Sequence, residues 1–191
     1  MDTIHRNLLK TGDVILVRYS MPYLIGWGIQ AVTGDYFAHS AVYIGDGKLV
    51  EAKGQGVRVS ELDKLLAHGH IKVGALLLRE ELENKREILK NIALSIVGRP
   101  YDFKAFTYMT LLFGLVRLGL VNRKKIREVP DPVDEENKFF CHQVVGYVYY
   151  KAKLPLMNIH WTNALASDFL DLRDIYFRNE ILPLKGEIPW L

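Results

Sequence analysis

Cys141 is the only cysteine of the chain, and it stands in Phe139-Phe140-Cys141-His142-Gln143-Val144-Val145-Gly146, where the pattern predicts the start of a helix. A helix start presents unpaired backbone N–H groups and the positive end of the helix dipole, and both favour thiolate, the reactive form, over thiol. Far upstream, His39 opens the run His39-Ser40-Ala41-Val42-Tyr43-Ile44-Gly45-Asp46-Gly47-Lys48-Leu49-Val50-Glu51-Ala52. A cysteine, a histidine and a carboxylate are the minimum set for thiol-based acyl transfer. A lone cysteine is more often a small buried apolar residue, so the chemistry depends on elements that bring the three groups together.

Residues 39–44 and 48–53 read as two strands joined by Gly45-Asp46-Gly47, a strong hairpin signal because glycine supplies the positive φ that such turns need. With a two-residue Asp46-Gly47 loop, Gly45 opposes Lys48, Val42 opposes Glu51, and His39 points to the opposite face from Glu51. With a three-residue loop closed by a glycine bulge, Ile44 opposes Lys48, Ala41 opposes Glu51, and His39 is a diagonal neighbour of Glu51 on one face, about 7–8 Å away at Cα. The second register also stacks Val42 on Val50, with Ile44 and Ala52 beside them, and is the expected one.

The other elements follow from periodicity and punctuation. Strands are predicted at 13–17, 57–59 and 73–78, a short helix at 24–32, and a helix at 61–67 capped by Ser60 with Asp63 three residues on. A helix over 80–97 is expected to turn Ile88, Ile92, Leu94 or Ser95, and Ile96 inward, and to end at Gly98 and Pro100. The apolar stretch 103–121 carries Lys104 and Arg117 and is poor material for a spanning helix. The spacing of Tyr108, Leu111, Leu112 and Leu115 predicts a largely buried helix, with an interfacial one as the alternative. Residues 122–138 are dense in charge, contain Pro130 and Pro132, and read as a loop.

At 191 residues, 49% hydrophobic and 25% charged, the chain fits one domain with one sizeable core. The expected organisation is a single domain over 1–191, with 103–138 as a helical and charged insertion near the cleft. A net charge of +3 with scattered basic residues argues against a nucleic-acid partner. One cysteine excludes an intrachain disulfide and leaves the redox compartment open. No apolar leader or spanning segment is visible, so the cytoplasm is the default expectation.

Four motifs in order carry a resemblance. The runs from His39 to Gly47, Val50-Glu51-Ala52, Gly98-Arg99-Pro100-Tyr101-Asp102-Phe103 and Phe140-Cys141-His142-Gln143-Val144-Val145 resemble the circularly permuted NlpC-type cysteine peptidases of the YiiX-like group. Histidine before cysteine is the permuted order. The likeness extends from about Gly12, in the opening strand, to Asp168 in the closing segment. It implies an α+β, papain-like fold in which a small antiparallel β-barrel or sheet packs against helices. It also implies Cys141 as nucleophile, His39 as general base, Glu51 as the group orienting the imidazole, and Tyr101, from the Pro-Tyr motif, as the second oxyanion donor beside the Cys141 N–H.

Other residues have plainer readings. His142 adjoins Cys141, but consecutive helical residues do not face each other, so it is expected to line the substrate site or to be structural. His68 and His70 lack further ligands nearby, so no metal is expected, and the chemistry calls for no cofactor. Trp161, beside His160, is either packing or a pocket wall. Tyr23, Trp27, Tyr36, Tyr101, Tyr108 and Trp161 are expected to bring amphipathic walls near the cleft, with Tyr36, His142 and Trp161 as the substrate-binding candidates.

Three functional classes stay open. One is a cysteine hydrolase cutting an amide in cell-wall-type peptides or acylated amides. The second is a lipid acyl hydrolase or acyltransferase of the lecithin retinol acyltransferase-like branch, and the third a non-catalytic binding module. Against the second, those relatives place a histidine where this chain has Glu51 and an Asn-Cys-Glu-His-Phe motif where it has Phe140 to Val144. The expected partners are a peptide or acyl-amide substrate and a lipid surface in contact with 103–121, with Arg117 and Arg123-Lys124-Lys125 meeting anionic head groups or wall carboxylates. The oligomeric state is not readable.

Overall fold

The computed structural model describes residues 6–20, 24–122, 137–154, 160–172 and 176–187. Six strands form one antiparallel sheet: β1 Val14–Tyr19, β2 His39–Gly45, β3 Lys48–Lys53, β4 Gly56–Glu61, β5 Ile71–Leu78 and β6 Phe177–Lys185. Their order is β4-β3-β2-β1-β5-β6, so the sheet is open with β4 and β6 at its edges. The helices are α1 Leu24–Thr33, α2 Leu62–Ala67, α3 Arg86–Ser95, α4 Phe103–Arg117, α5 Cys141–Lys151 and α6 Ala166–Leu170. Both faces of the central strands are buried. Val14, Leu16, Val42, Ile44 and Val50 share a core with Leu89 and Ala93 of α3 and Val144, Val145 and Val148 of α5. On the other face, Ile15, Val17, Ala41, Tyr43 and Leu49 pack with Leu62, Leu65 and Leu66 of α2. Side chains that alternate between two cores explain why these strands read as nearly unbroken apolar runs.

The hairpin corrects one expectation and keeps its consequence. Asp46 (φ 50°) and Gly47 (φ 69°) both take the left-handed conformation, so the turn has two residues and Gly45 opposes Lys48. Aspartate tolerates that conformation better than most residues. The extra residue sits just inside the strand, where the register shifts between Tyr43 and Gly45. Beyond that bulge Tyr43 pairs with Leu49 and Val42 with Val50. His39, an odd number of residues before Val42, therefore shares a face with Glu51, the residue after Val50.

Three further expectations are corrected. The helix predicted over 80–97 is a 3₁₀ turn, Glu80–Lys85, followed by α3. Its inner side is Arg86, Leu89, Ala93 and Ile96, while Ile88 and Leu94 face solvent. Arg86 sets this rotation: its guanidinium donates to Asp13 (3.0 Å), to the Thr11 carbonyl (2.7 Å) and to the Leu78 carbonyl (3.0 Å). Ser60 is a β4 residue rather than a helix cap; Glu61 precedes α2 and gives no side-chain cap. α4 buries only Ala105, Met109 and Phe113, and Leu111 and Leu115 are exposed. β6, unassigned from the sequence, pairs with β5 at the sheet edge, where Pro183 removes no ladder bond that the sheet needs. Most of 122–138 lies outside the described residues. No helix among the described residues is long and apolar enough to cross a membrane.

Candidate active site

α5 is buried along most of its length, with every residue from Cys141 to Tyr149 buried. Phe140 precedes it in extended conformation, and Gln143 folds back so that its Oε1 accepts from the Phe140 N–H at 3.0 Å. The Gln143 amide donates to the Thr162 carbonyl (3.2 Å), which ties the start of α5 to the short 3₁₀ turn Trp161–Asn163. Gly146 lets that turn approach closely, since a Cβ there would lie 2.9 Å from the Trp161 carbonyl oxygen. On the other side, Phe139 N–H donates to the Pro100 carbonyl and Asp102 N–H to the Phe139 carbonyl, each at 3.2 Å. This pairing sets Tyr101 beside the entry to α5, and Asp102 then caps α4 by accepting from Ala105 N–H at 2.8 Å.

His39 begins β2, and its Nε2–H donates to Glu51 Oε2 at 2.7 Å. With Nε2 on the carboxylate, Nδ1 is the nitrogen left for the Cys141 sulfur, whose thiol donates to the Ala38 carbonyl at 3.9 Å. Burial alone would lower the His39 pKa and is the largest single influence. The interactions of the ring with Cys141 and then Glu51 outweigh it and raise the value to about 9. Glu51 is fully buried. Burial pushes its carboxyl up, but His39 and then Lys53 pull it further the other way, so it is held well below the usual carboxylate range.

The second oxygen of Glu51 is held as firmly as the first. Ser60 donates to Oε1 at 2.6 Å, Lys53 Nζ lies at 2.8 Å, and Arg58 Nε at 3.8 Å. None of these three was singled out from the sequence. Lys53 could have been, because residues two apart on a strand share a face. Ser60 and Arg58 depend on the β3–β4 register, in which Leu49 pairs with Ser60 and Glu51 with Arg58.

Cys141 and His39 lie at the wall of a cleft of about 630 Å³, lined also by Tyr19, Ile29, Leu65, Tyr101 and Phe106. Among the described residues the lining is mainly apolar, with Lys53 as its one Lys, Arg, Asp or Glu side chain. Tyr101 keeps its phenol proton: burial, then the negative charges of Cys141 and Asp102, hold its pKa well above the ordinary value. His142 does not line the large cleft; it lines a much smaller pocket beside it that Cys141 also borders. Its Nδ1 shares a 2.9 Å hydrogen bond with the Ser40 hydroxyl, and burial, then the nearby His39 charge, lowers its pKa to about 3, so it is neutral.

The remaining candidates are placed elsewhere. Tyr36 stacks edge-on against Phe37 and receives the Arg18 guanidinium 4.1 Å above its ring. Trp161 is buried against Phe139 and Tyr147. Tyr108 packs beside the cluster around Cys141 without lining the large cleft. Tyr23 and the Trp27 side chain lie outside the described residues. The structure thus brings Cys141, His39, Glu51 and Tyr101 together, and leaves Tyr36, His142 and Trp161 off the large cleft.

A family of permuted papain-like amidase enzymes, the YaeF/YiiX or C92 family, matches residues 8–110, more than half of the chain. The chain belongs to this family. The matched span holds His39, Glu51 and Tyr101, while Cys141 lies beyond its end. Among curated proteins, none matches the chain. As a member of the C92 family the protein is a cysteine amidase-type hydrolase on a permuted, papain-like α+β fold.

Proposed function

We propose that this C92 amidase cuts an amide through Cys141, His39 and Glu51, on substrates whose acyl part is apolar. The observation that carries the assignment is His39, whose Nε2 bonds a fully buried carboxylate while its ring stands with the only cysteine at the wall of the large cleft. In the first step the Cys141 sulfur attacks the amide carbonyl, having given its proton to His39. As the C–N bond breaks, the imidazolium returns that proton to the departing amine and a thioester remains. Water, deprotonated by His39, then attacks the thioester and releases the acid. Glu51 fixes the tautomer that leaves Nδ1 toward sulfur and stabilises the imidazolium. The oxyanion is received by the Cys141 N–H at the start of α5 and by the Tyr101 hydroxyl. The apolar cleft lining favours a hydrocarbon-rich acyl group over a strongly charged peptide.

A series of N-acyl aminocoumarins of increasing chain length tests this. Release of fluorophore and an acyl adduct on Cys141 in intact-mass spectra are expected, both lost in Cys141→Ala. If no member of the series turns over or leaves an adduct, while muropeptides are cleaved, the amidase stands and the acyl preference is wrong. If neither class reacts, the assignment of Cys141 falls.

A further inference from the structure

We infer that the outward face of α4 and the turn after it dock on an anionic lipid bilayer, holding the rim of the cleft at the membrane surface. Phe103 is 59% exposed, Leu111 66%, Leu115 40%, Leu118 73% and Leu120 69%. Phe103, Leu111 and Leu115 recur at multiples of four residues, with Leu118 one turn on, so they form one stripe opposite the buried Ala105, Met109 and Phe113. A soluble surface scatters such residues singly; a row of this kind, interrupted on its own face only at Thr107, marks a contact face.

Charge selects the partner. From Phe103 to Asn122, the described run that carries the stripe, the sequence contains no aspartate or glutamate, but it contains Lys104 and Arg117. An apolar helix face accompanied only by cations is the composition of an interfacial helix on anionic lipid, whose surface attracts basic side chains. The stripe is also continuous with the cleft. The Phe103 ring lies 3.8 Å from where a Gly54 Cβ would be, and Gly54, Tyr101 and Phe106 line the cleft wall. A bilayer on this face therefore meets the apolar mouth that leads to Cys141. Docking is read without turnover, so its failure leaves the catalytic assignment standing.

The test is co-sedimentation with phosphatidylcholine vesicles with and without phosphatidylglycerol, at low and high salt. Wild type is expected to pellet with the anionic vesicles, and to bind them at least tenfold less when Leu115 and Leu118 are both changed to Glu. High salt should weaken binding several-fold. Because these side chains are exposed, the double variant should keep its thermal melting temperature. In addition, Leu118→Trp is expected to shift its emission to the blue on adding anionic vesicles, relative to wild type. Wild type that stays in the supernatant at low salt overturns the inference. So does equal binding by the double variant, or a wild-type dimer in light scattering that the double variant dissolves without any vesicle binding; that outcome assigns the stripe to a second copy of the chain.

Discussion

His39 and Glu51 meet at 2.7 Å because one extra residue, Ile44, is inserted between the two-residue Asp46-Gly47 turn and the regular pairing of Tyr43 with Leu49. Without that bulge the alternation of side chains would send the imidazole and the carboxylate to opposite faces of the sheet. The geometry of the proposed His39–Glu51 pair thus rests on a local irregularity whose residues lie outside the pair itself. Its chemical consequence is a buried charge pair, and that pair links the site to stability.

Glu51→Gln should lower stability in a pH-dependent way. The Glu51 pKa is depressed, so its contribution is present above about pH 4.5, its unfolded value, and is lost as pH falls below that. The His39 pKa is raised, so its contribution is full below about pH 6.5 and is lost as pH rises through about 9. The gap in melting temperature between wild type and variant should be widest between about pH 4.5 and 6.5, equivalent to roughly 3 kcal/mol for leaving one buried partner unpaired. A gap that does not vary between pH 5 and 9 would refute the coupling.

Lys53 lies 2.8 Å from Glu51 and helps to keep the carboxyl ionised. In Lys53→Met the Glu51 pKa should rise from its depressed position, so melting temperature should fall off at higher pH on acidification than in wild type. Lys53→Arg should follow the wild-type curve. A uniform drop across pH 3–7 in the Met variant would mean that Lys53 acts only through packing.

What the sequence discloses about this site, and what it hides, follows from range. The cysteine at a helix start, the histidine and the glutamate are legible because glycine punctuation and two-residue periodicity are local signals. The tip of the hairpin is not, since whether Asp46 joins Gly47 at positive φ is decided by a small difference between turn types. Ser60 resembles a helix cap in sequence, but pairing with β3 overrides that short-range signal and turns the hydroxyl to Glu51. α4 is apolar nearly all round, so its pattern does not reveal which side α1 and the cluster of Phe140, Cys141 and Leu165 will leave open. Tyr36 and Trp161 illustrate the same limit, since an aromatic suits a cleft wall and a core equally well.

Tyr101→Phe separates an oxyanion donor from a wall. Deleting one such donor costs about 10²–10³ in kcat while leaving ground-state binding largely intact. The Phe variant should therefore lose kcat at little change in KM on an aminocoumarin substrate, with Cys141 alkylation preserved. Loss of KM alone would make Tyr101 part of the cleft wall and no more.

The protonation of His39 gives the last expected outcome. Its pKa is raised to about 9, so at pH 6 to 8 the ring beside Cys141 carries a positive charge and favours negative charge on sulfur. Alkylation of Cys141 by iodoacetamide should then exceed that of N-acetylcysteine most clearly at pH 6, where a free thiol is almost wholly protonated. As pH rises through about 9 the imidazolium loses its proton and the free thiol ionises, so the two rates should converge. In His39→Ala the advantage at pH 6 should vanish, while in Glu51→Gln it should persist only to a lower pH, because the carboxylate that helps to hold the ring charged is gone. If wild-type Cys141 follows N-acetylcysteine from pH 5 to 9, His39 does not activate the sulfur, and close packing in the fold is then the only relation between the two.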